Sequence, residues 1–176
     1  MITIDGGTGT ILHNGVKFNK ESDKMVDQWR INDHITVGTS AAVISTNWER
    51  NDSSGYVSIG TGMSESSGVF TFPQTGTYLV RFFGTSYGAN GATTLITARI
   101  QTRKSGGDYA DRAQVSESAY ATNAYGSMAI EIVFDVEDTS GDNIRITAIA
   151  GNSNRKILGS TTVQRTGITF IRLGDT

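Results

Sequence analysis

The feature that most constrains the fold of this chain is an apolar–polar alternation with a period of two. It is clearest between Met128 and Val136, where every second residue is large and apolar. A strand gathers residues at this spacing on one face, whereas a helix distributes them around its axis. Similar alternation occurs in residues 78–83, 93–102, 144–148 and 167–173. Because Gly, Asn, Asp and Ser cluster between these segments, the sequence predicts an all-β sandwich of roughly seven or more short strands.

The single proline, Pro73, separates two of the alternating segments. Gly68 to Phe72 predicts one short strand, and Tyr78, Val80 and Phe82 predict one face of the next. Proline cannot donate a hydrogen bond to a sheet ladder, so it belongs at the end of a strand. The pattern therefore predicts a strand–turn–strand hairpin with its tight connection just after the proline. The face that begins with Tyr78 is expected to lie in the core.

Composition excludes several classes of protein. The 176 residues fit a single domain, and the 21 glycines follow no three-residue period, which favours turns over collagen. A net charge of -2 provides no electrostatic basis for binding nucleic acid or an anionic membrane surface. The absence of cysteine excludes disulfides, thiol catalysis and thiolate metal sites. With no visible secretion signal or apolar membrane-spanning run, we expect a soluble protein made in a cytoplasm, without membrane insertion.

Residues that commonly carry catalysis do not form a recognisable constellation. His13 and His34 lie far in sequence from any candidate nucleophile, and they are expected to be ordinary surface residues. The chain contains no G-x-S-x-G elbow, no phosphate-binding loop of the G-x-x-x-x-G-K type and no H-E-x-x-H zinc motif. We therefore expect a protein that is not an enzyme and that has no catalytic residues, cofactor or resident metal.

Two local patterns have a structural and a functional interpretation. Glu137, Asp138 and Asp142 crowd one segment, where they either form a turn with Gly or hold calcium through carboxylates. Their spacing is not that of an EF-hand, which favours the turn. Trp29 and Trp48 are either core or interface residues, which is the commoner role of large aromatic side chains, or platforms for stacking sugars.

The first 38 residues differ in character from the rest. Two short apolar runs flank a glycine-rich turn, a pattern typical of a β-arm that buries little surface by itself. We interpret residues 1–38 as an attachment arm and residues 39–176 as the folded domain. A frayed terminus or an additional hairpin is the alternative. The apolar residues of the arm are Ile2, Ile4, Ile11 and Leu12.

Two strands are apolar on both faces, which a solvated sandwich does not require. In the strand that begins at Tyr78, Leu79 and Phe83 are expected to point away from the core. In the last strand, Ile171 and Leu173 are expected to do the same. An apolar outer face needs to be covered. We expect these four residues to lie in a subunit interface, the alternative being that the arm or a loop covers them.

The segment around the proline resembles the pattern G-x-F-x-x-P-x-x-G-x-Y of the globular domains of complement component 1q, whose fold is shared by tumour necrosis factor. The matching residues are Gly68, Phe70, Pro73, Gly76 and Tyr78. Residues 128–146 and 166–173 resemble later strands of that family in the same order, so the resemblance covers about residues 40–174. It implies a jelly-roll β-sandwich that forms a homotrimer, whose axis is lined by the strand after the proline and the final strand.

Some features of the chain depart from that family and resemble another group. It has no collagen-like stalk, no secretion signal and no cysteine, which argues against an animal defence or cytokine role. Segments 2–11, 20–29 and 47–50 resemble small virion proteins of tailed bacteriophages, in which a jelly-roll domain follows a short arm. This resemblance implies a structural virion protein, assembled in the host cytoplasm, that decorates the capsid or forms a short head fibre. The arm would bind a phage capsid or tail protein.

A tail-fibre module that recognises a host surface glycan or protein is the alternative function. Its candidate loops are rich in Tyr, Asn and Gly, which suit binding but equally suit solvated loops. They comprise residues 84–92, 104–112 and 121–126.

Overall fold

The computed structural model describes residues 2–4, 11–13, 16–17, 24–88, 93–119, 121–152 and 155–176. All regular structure in these ranges is β-strand. The strands are β1 (Ile2–Ile4), β2 (Ile11–His13), β3 (Val16–Lys17), β4 (Val26–Ile31), β5 (Ile35–Val37), β6 (Ala42–Val43), β7 (Trp48–Arg50), β8 (Ser64–Ser66), β9 (Val69–Thr71), β10 (Gly76–Gly88), β11 (Thr93–Arg103), β12 (Ala110–Ala119), β13 (Tyr125–Val136), β14 (Asn143–Ala150), β15 (Arg155–Ile157) and β16 (Gly167–Gly174). The described residues therefore include no helix that is long and apolar enough to cross a membrane.

The first sheet is organised around β10, the strand that follows the proline. One edge of β10 pairs with β13 over nearly its whole length, and the other edge pairs with β16 and then β15. Beyond these, β4 and β7 extend the sheet from β16, and β5 extends it from β15. All of these pairings are antiparallel, which leaves one face of the sheet for the core and one outside.

The second sheet has the order β12–β11–β14–β9–β8, with β6 also paired to β14. Its inner face supplies Ile96, Ala98 and Ile100 from β11, which alternate with outward polar residues as the sequence predicts. The two sheets enclose one apolar core, and this confirms the expected all-β sandwich. The core face of β10 is confirmed as well, because Tyr78, Val80 and Phe82 are fully buried.

Aromatic residues on both sides of the proline join the two sheets. Phe70 contacts Phe170 with a ring-centroid distance of 5.2 Å, and Phe72 contacts Tyr78 at 4.7 Å. The Tyr78 hydroxyl donates a hydrogen bond of 2.8 Å to the carbonyl oxygen of Gln74. The polar end of the buried tyrosine is therefore satisfied by the connection that contains Pro73.

The prediction of a hairpin at the proline is wrong. Val69–Thr71 pairs with β8 and β14 of the second sheet, whereas β10 belongs to the first sheet. The connection at Pro73 thus carries the chain from one sheet to the other. The reason is that the apolar residues before and after the proline enter the core from opposite sides, and alternation alone does not distinguish this arrangement from a hairpin.

The prediction that the folded domain begins after residue 38 is also wrong. Val26–Ile31 pairs with the last strand, and Ile35–Val37 pairs with β15. Met25 and Ile31 are buried in the core. These residues belong to the sandwich because they cover the edge of β16. Of the expected arm, Ile2, Ile4, Ile11 and Leu12 lie in a separate small sheet formed by β1, β2 and β3.

Candidate subunit interface

The outward face of the first sheet carries a continuous row of apolar residues. Leu79 at the centre of β10 lies opposite Val133 on β13 and opposite Ile171 on β16. Ile171 in turn lies opposite Val26 on β4. Residues that face each other across antiparallel strands share one side of the sheet, so these four side chains form one band. We call Val133, Leu79, Ile171 and Val26 the apolar row.

A polar row and a second, less continuous apolar row follow along the same face. The polar row consists of Glu131, Arg81, Thr169 and Gln28, which lie opposite one another in that order. The second apolar row lies next to the polar row and contains Ala129, Phe83 and Gly167. The face therefore has a central charged band between apolar ones.

The four predicted interface residues all lie on β10 and β16. Leu79, Phe83 and Ile171 are half-buried in the protomer, and Leu79 directly faces Ile171. Leu173 lies beyond the apolar row, at a bulge where β16 has one more residue than β10, and 54% of its surface is exposed. Sequence reasoning missed Val133, whose exposure is 64%, although β13 also has an apolar residue on its outer face.

Among the described residues, residues 49–53 cover the β4 margin of this face. The guanidinium of Arg30, at the β4 end of the face, is almost completely buried beneath residues 49–53. It donates hydrogen bonds to Glu49, Asn51, Asp52 and Ser53. This network is far along the sheet from Val133, so the loop does not cover the centre of the apolar row.

The edge of the first sheet beside Val133 carries both apolar and charged residues. Among the described residues, the only strand that pairs with β13 is β10, so the opposite edge of β13 forms no ladder. A groove of about 550 Å³ follows this edge and is lined by Lys104, Arg112, Ile132, Val133, Phe134, Asp135 and Glu137. β12 of the second sheet lies beside this edge without pairing with it. A strand edge without a ladder is a place where another chain can bind.

The acidic segment forms a turn held by its own backbone. The Asp142 carboxylate is buried and accepts hydrogen bonds from the backbone N–H groups of Ser105, Glu137 and Asp138 and from Lys104 Nζ. Burial by itself raises the pKa of Asp142, but the hydrogen bonds outweigh this effect and the pKa lies below its usual value. Lys104 also pairs with Glu137 at 2.9 Å. In the described ranges, no cluster of three or more acidic or histidine residues is arranged to hold a metal.

The tryptophans have structural contacts. Trp29 and Trp48 meet the ring of Phe70 edge-on, with centroid distances of 5.6 and 5.1 Å. Arg50 lies over the Trp29 ring and pairs with the buried carboxylate of Asp27. These contacts match the interpretation of the two tryptophans as core residues.

Of the two histidines expected at the surface, His34 has a described side chain. His34 is exposed, and its Nδ1 accepts a hydrogen bond of 3.2 Å from the Gly159 N–H. His13 lies on β2, and its side chain is outside the described part of the structure.

The three candidate recognition loops do not form one surface. The described parts of 84–92 and 121–126 meet where the rings of Tyr87 and Tyr125 contact each other, tilted by 42°, at a centroid distance of 4.9 Å. Tyr87 also donates a hydrogen bond to Asn123. Residues 89–92 lie outside the described residues. Segment 104–112 lies near the other end of β13, where Lys104 donates a hydrogen bond to the carbonyl oxygen of Asp135.

Comparison with solved structures identifies the architecture. Eiger TNF from S. frugiperda has a TM-score of 0.64 at 12% identity, covering 87% of this chain and 94% of the other. Murine APRIL at pH 5.0 has a TM-score of 0.63 at 16% identity, covering 85% of this chain and 99% of the other. No family model and no curated protein matches the sequence. At these identities the likeness shows the fold alone, a jelly-roll sandwich of the tumour necrosis factor kind.

Proposed function

We propose that this jelly-roll chain is a non-enzymatic structural protein that assembles into a homotrimer through the outward face of its first sheet. The observation that carries this proposal is the apolar row of Val133, Leu79, Ile171 and Val26, which no described segment of the protomer covers at its centre. A second copy that covers this row would remove apolar surface from water, which is the main favourable contribution to association.

The surfaces of the protomer suit a closed ring. A threefold ring joins two different surfaces of each subunit, because the contact is heterologous. The apolar row provides one surface, and the open β13 edge with Ile132 and Val133 provides a second, different one. Packing an edge against a face would cover both features with one kind of contact. The sequence resemblance to complement component 1q domains independently implies a trimer.

We further propose that the trimer is part of a tailed-phage virion, as a capsid decoration or short head-fibre protein assembled in the host cytoplasm. The support is the resemblance of the segments quoted above to small phage virion proteins. The small sheet of β1, β2 and β3 is the proposed attachment to a capsid or tail protein. Its pairing is confined to itself among the described residues, which suits an element that binds elsewhere.

The first experiment measures oligomeric state, because the ring is the basis of the proposal. Native mass spectrometry and light scattering of the purified chain should give three times the mass of one protomer at micromolar concentration. A stable monomer would contradict the proposal. Quantitative mass spectrometry of purified particles then tests the virion role: many copies on the head support decoration, whereas a few copies on the tail support a fibre.

A receptor-binding module is the second candidate, and one observation favours it. The Tyr87–Tyr125 ring pair beside Asn123 is partly open to solvent, and 67% of Tyr125 is exposed. Aromatic rings beside an amide are groups that bind sugars or protein loops. Binding of the trimer to host cells that is lost in Tyr125→Ala, but retained in Val163→Ala, would support this function over decoration.

A further inference from the structure

We propose that Arg81 and Glu131 determine which surfaces of the subunits meet, with Arg81 of one protomer pairing with Glu131 of the next. This inference rests on the proposed homotrimer and adds the residues that specify its register. The two residues lie directly opposite each other, Arg81 on β10 and Glu131 on β13. Both are exposed in the protomer.

Arg81 and Glu131 are charged residues that lie between apolar neighbours on the face. The apolar row flanks them on one side, and Phe83 with Ala129 flanks them on the other. Any chain that covers the apolar residues must also cover the charges between them. Burying an unpaired charge is strongly unfavourable, so a stable contact requires an oppositely charged partner for each.

The described part of the protomer does not supply such partners. Arg81 and Glu131 face each other across the ladder, yet they form no ion pair or hydrogen bond with each other or with any other described residue. The other members of the polar row hydrogen-bond to each other instead, since Gln28 donates to the Thr169 hydroxyl at 3.4 Å. The guanidinium and the carboxylate are thus available to another chain.

The shape of the face also suits an incoming side chain. A depression of about 230 Å³ is lined by Gln28, Leu79, Arg81, Glu131, Thr169 and Ile171. Arg81 and Glu131 also line a second depression of about 290 Å³ toward β13. Glu131 lies on the strand with the open edge, and Arg81 lies on the central strand of the face. A contact of edge against face therefore brings Glu131 of one subunit toward Arg81 of its neighbour.

A second copy of this chain is the occupant that fits the charges. Each protomer offers one positive and one negative group, so a ring of identical subunits satisfies both without a further component. Charged pairs of this kind contribute to orientation and partner choice, because like charges at the same contact are strongly unfavourable.

Charge reversal tests the pairing. We expect Arg81→Glu and Glu131→Arg each to raise the concentration at which the trimer dissociates by about 100-fold or more, because each places like charges together. The double variant should return to within about tenfold of the wild type, since it restores opposite charges. Arg99→Glu is the matched control: it makes the same charge change on the second sheet, and the trimer should be unaffected.

A mixing experiment separates pairing between subunits from pairing within one. Arg81→Glu leaves negative charge at both positions, and Glu131→Arg leaves positive charge at both. Most contacts in a mixed ring join unlike subunits, so the two variants should form mixed trimers together when each alone is monomeric. Circular dichroism should show the same β-structure in every variant, because both side chains are exposed in the protomer.

The outcomes distinguish this inference from the proposed function. A wild-type chain that is monomeric overturns both. If the wild type and both single variants are trimers of equal stability, the proposed Arg81–Glu131 pairing is wrong but the proposed trimer stands. Failure of both the double variant and the mixture to assemble also overturns the pairing.

Discussion

At the scale of single residues, the glycines of the proline motif are explained by backbone conformation. Gly68 has a φ of +82°, and a Cβ atom built there would lie 2.3 Å from the Ile44 carbonyl oxygen. Gly76 has a φ of +136°, and its Cβ would lie 2.5 Å from the Gly174 carbonyl oxygen. In both cases the obstacle is backbone, which cannot move aside as a flexible side chain does. The motif therefore has a steric basis in this chain.

Gly68→Ala should destabilise the fold by about 3 kcal/mol or more, because a left-handed conformation and a collision with backbone add together. Gly106→Ala is the control: Gly106 has a φ of +72° with nothing within 4 Å of the added Cβ. It should cost only about 1–2 kcal/mol, from the conformation alone. Urea unfolding of both variants measures the difference, and equal losses would contradict the steric explanation.

Asp142→Ala should lower the free energy of unfolding by about 2–4 kcal/mol at neutral pH, because it leaves three backbone N–H groups without their acceptor. Asp135→Ala, on the exposed outer face of β13, should change it by no more than about 0.5 kcal/mol. Urea denaturation measures both.

The Asp142 contribution should also depend on pH. The folded-state pKa of Asp142 is below its ordinary value of 3.8, so the stabilisation is present above that value and is lost as pH falls through the folded pKa. The difference between wild type and Asp142→Ala should therefore narrow as the pH is lowered below about 4. A constant difference across this range would show that the carboxylate charge does not contribute.

At the scale of elements, the N-terminal region contains two groups of strands, β1 to β3 and then β4 and β5. Strands β4 and β5 complete the first sheet, and Arg30 connects β4 to residues 49–53. Strands β1 to β3 pair only with one another among the described residues. The proposed attachment element is thus shorter than the sequence predicts.

Two deletions test this division. Removing residues 1–20 should leave the thermal midpoint of the sandwich within about 2 °C of the full chain, because no described pairing of the two sheets is lost. Removing residues 1–38 should abolish folding, since it exposes the edge of β16 and removes Met25 and Ile31 from the core. Thermal melts followed by circular dichroism provide the measurement. A folded product of the longer deletion would return the boundary to residue 38.

At the scale of the whole molecule, the uncovered outward face of the first sheet is the dominant feature. Val133 and Val163 form a matched pair, because they are the same residue with similar exposures of 64% and 59%, and Val163 lies outside the apolar row, in the segment between β15 and β16. Val133→Asp should convert the proposed trimer to a folded monomer, whereas Val163→Asp should remain trimeric. Light scattering and circular dichroism distinguish the two results. A trimeric Val133→Asp variant would remove β13 from the interface.

Leu79→Asp and Ile171→Asp should produce monomer or aggregate, because each introduces a charge into the centre of the apolar row. Both residues are already half-buried, so the variants also affect the protomer more than Val133→Asp does. Sedimentation velocity reports the state of each variant. An intact trimer in either case would contradict the assignment of that residue.

Local pattern was enough to predict several strands and their core faces. Alternation with a period of two placed Tyr78, Val80 and Phe82 in the core, and it marked Leu79 and Ile171 among the outward apolar residues that need covering. These properties are local, because the side to which a strand residue points depends only on its position along the strand.

Only the tertiary structure decided which strands are neighbours. It assigned β9 and β10 to different sheets, included β4 in the sandwich, and aligned Arg81 with Glu131 between two apolar rows. The physical reason is that pairing and register depend on contacts between residues distant in sequence. Alternation specifies the two faces of each strand, but it contains no information about which strand lies alongside.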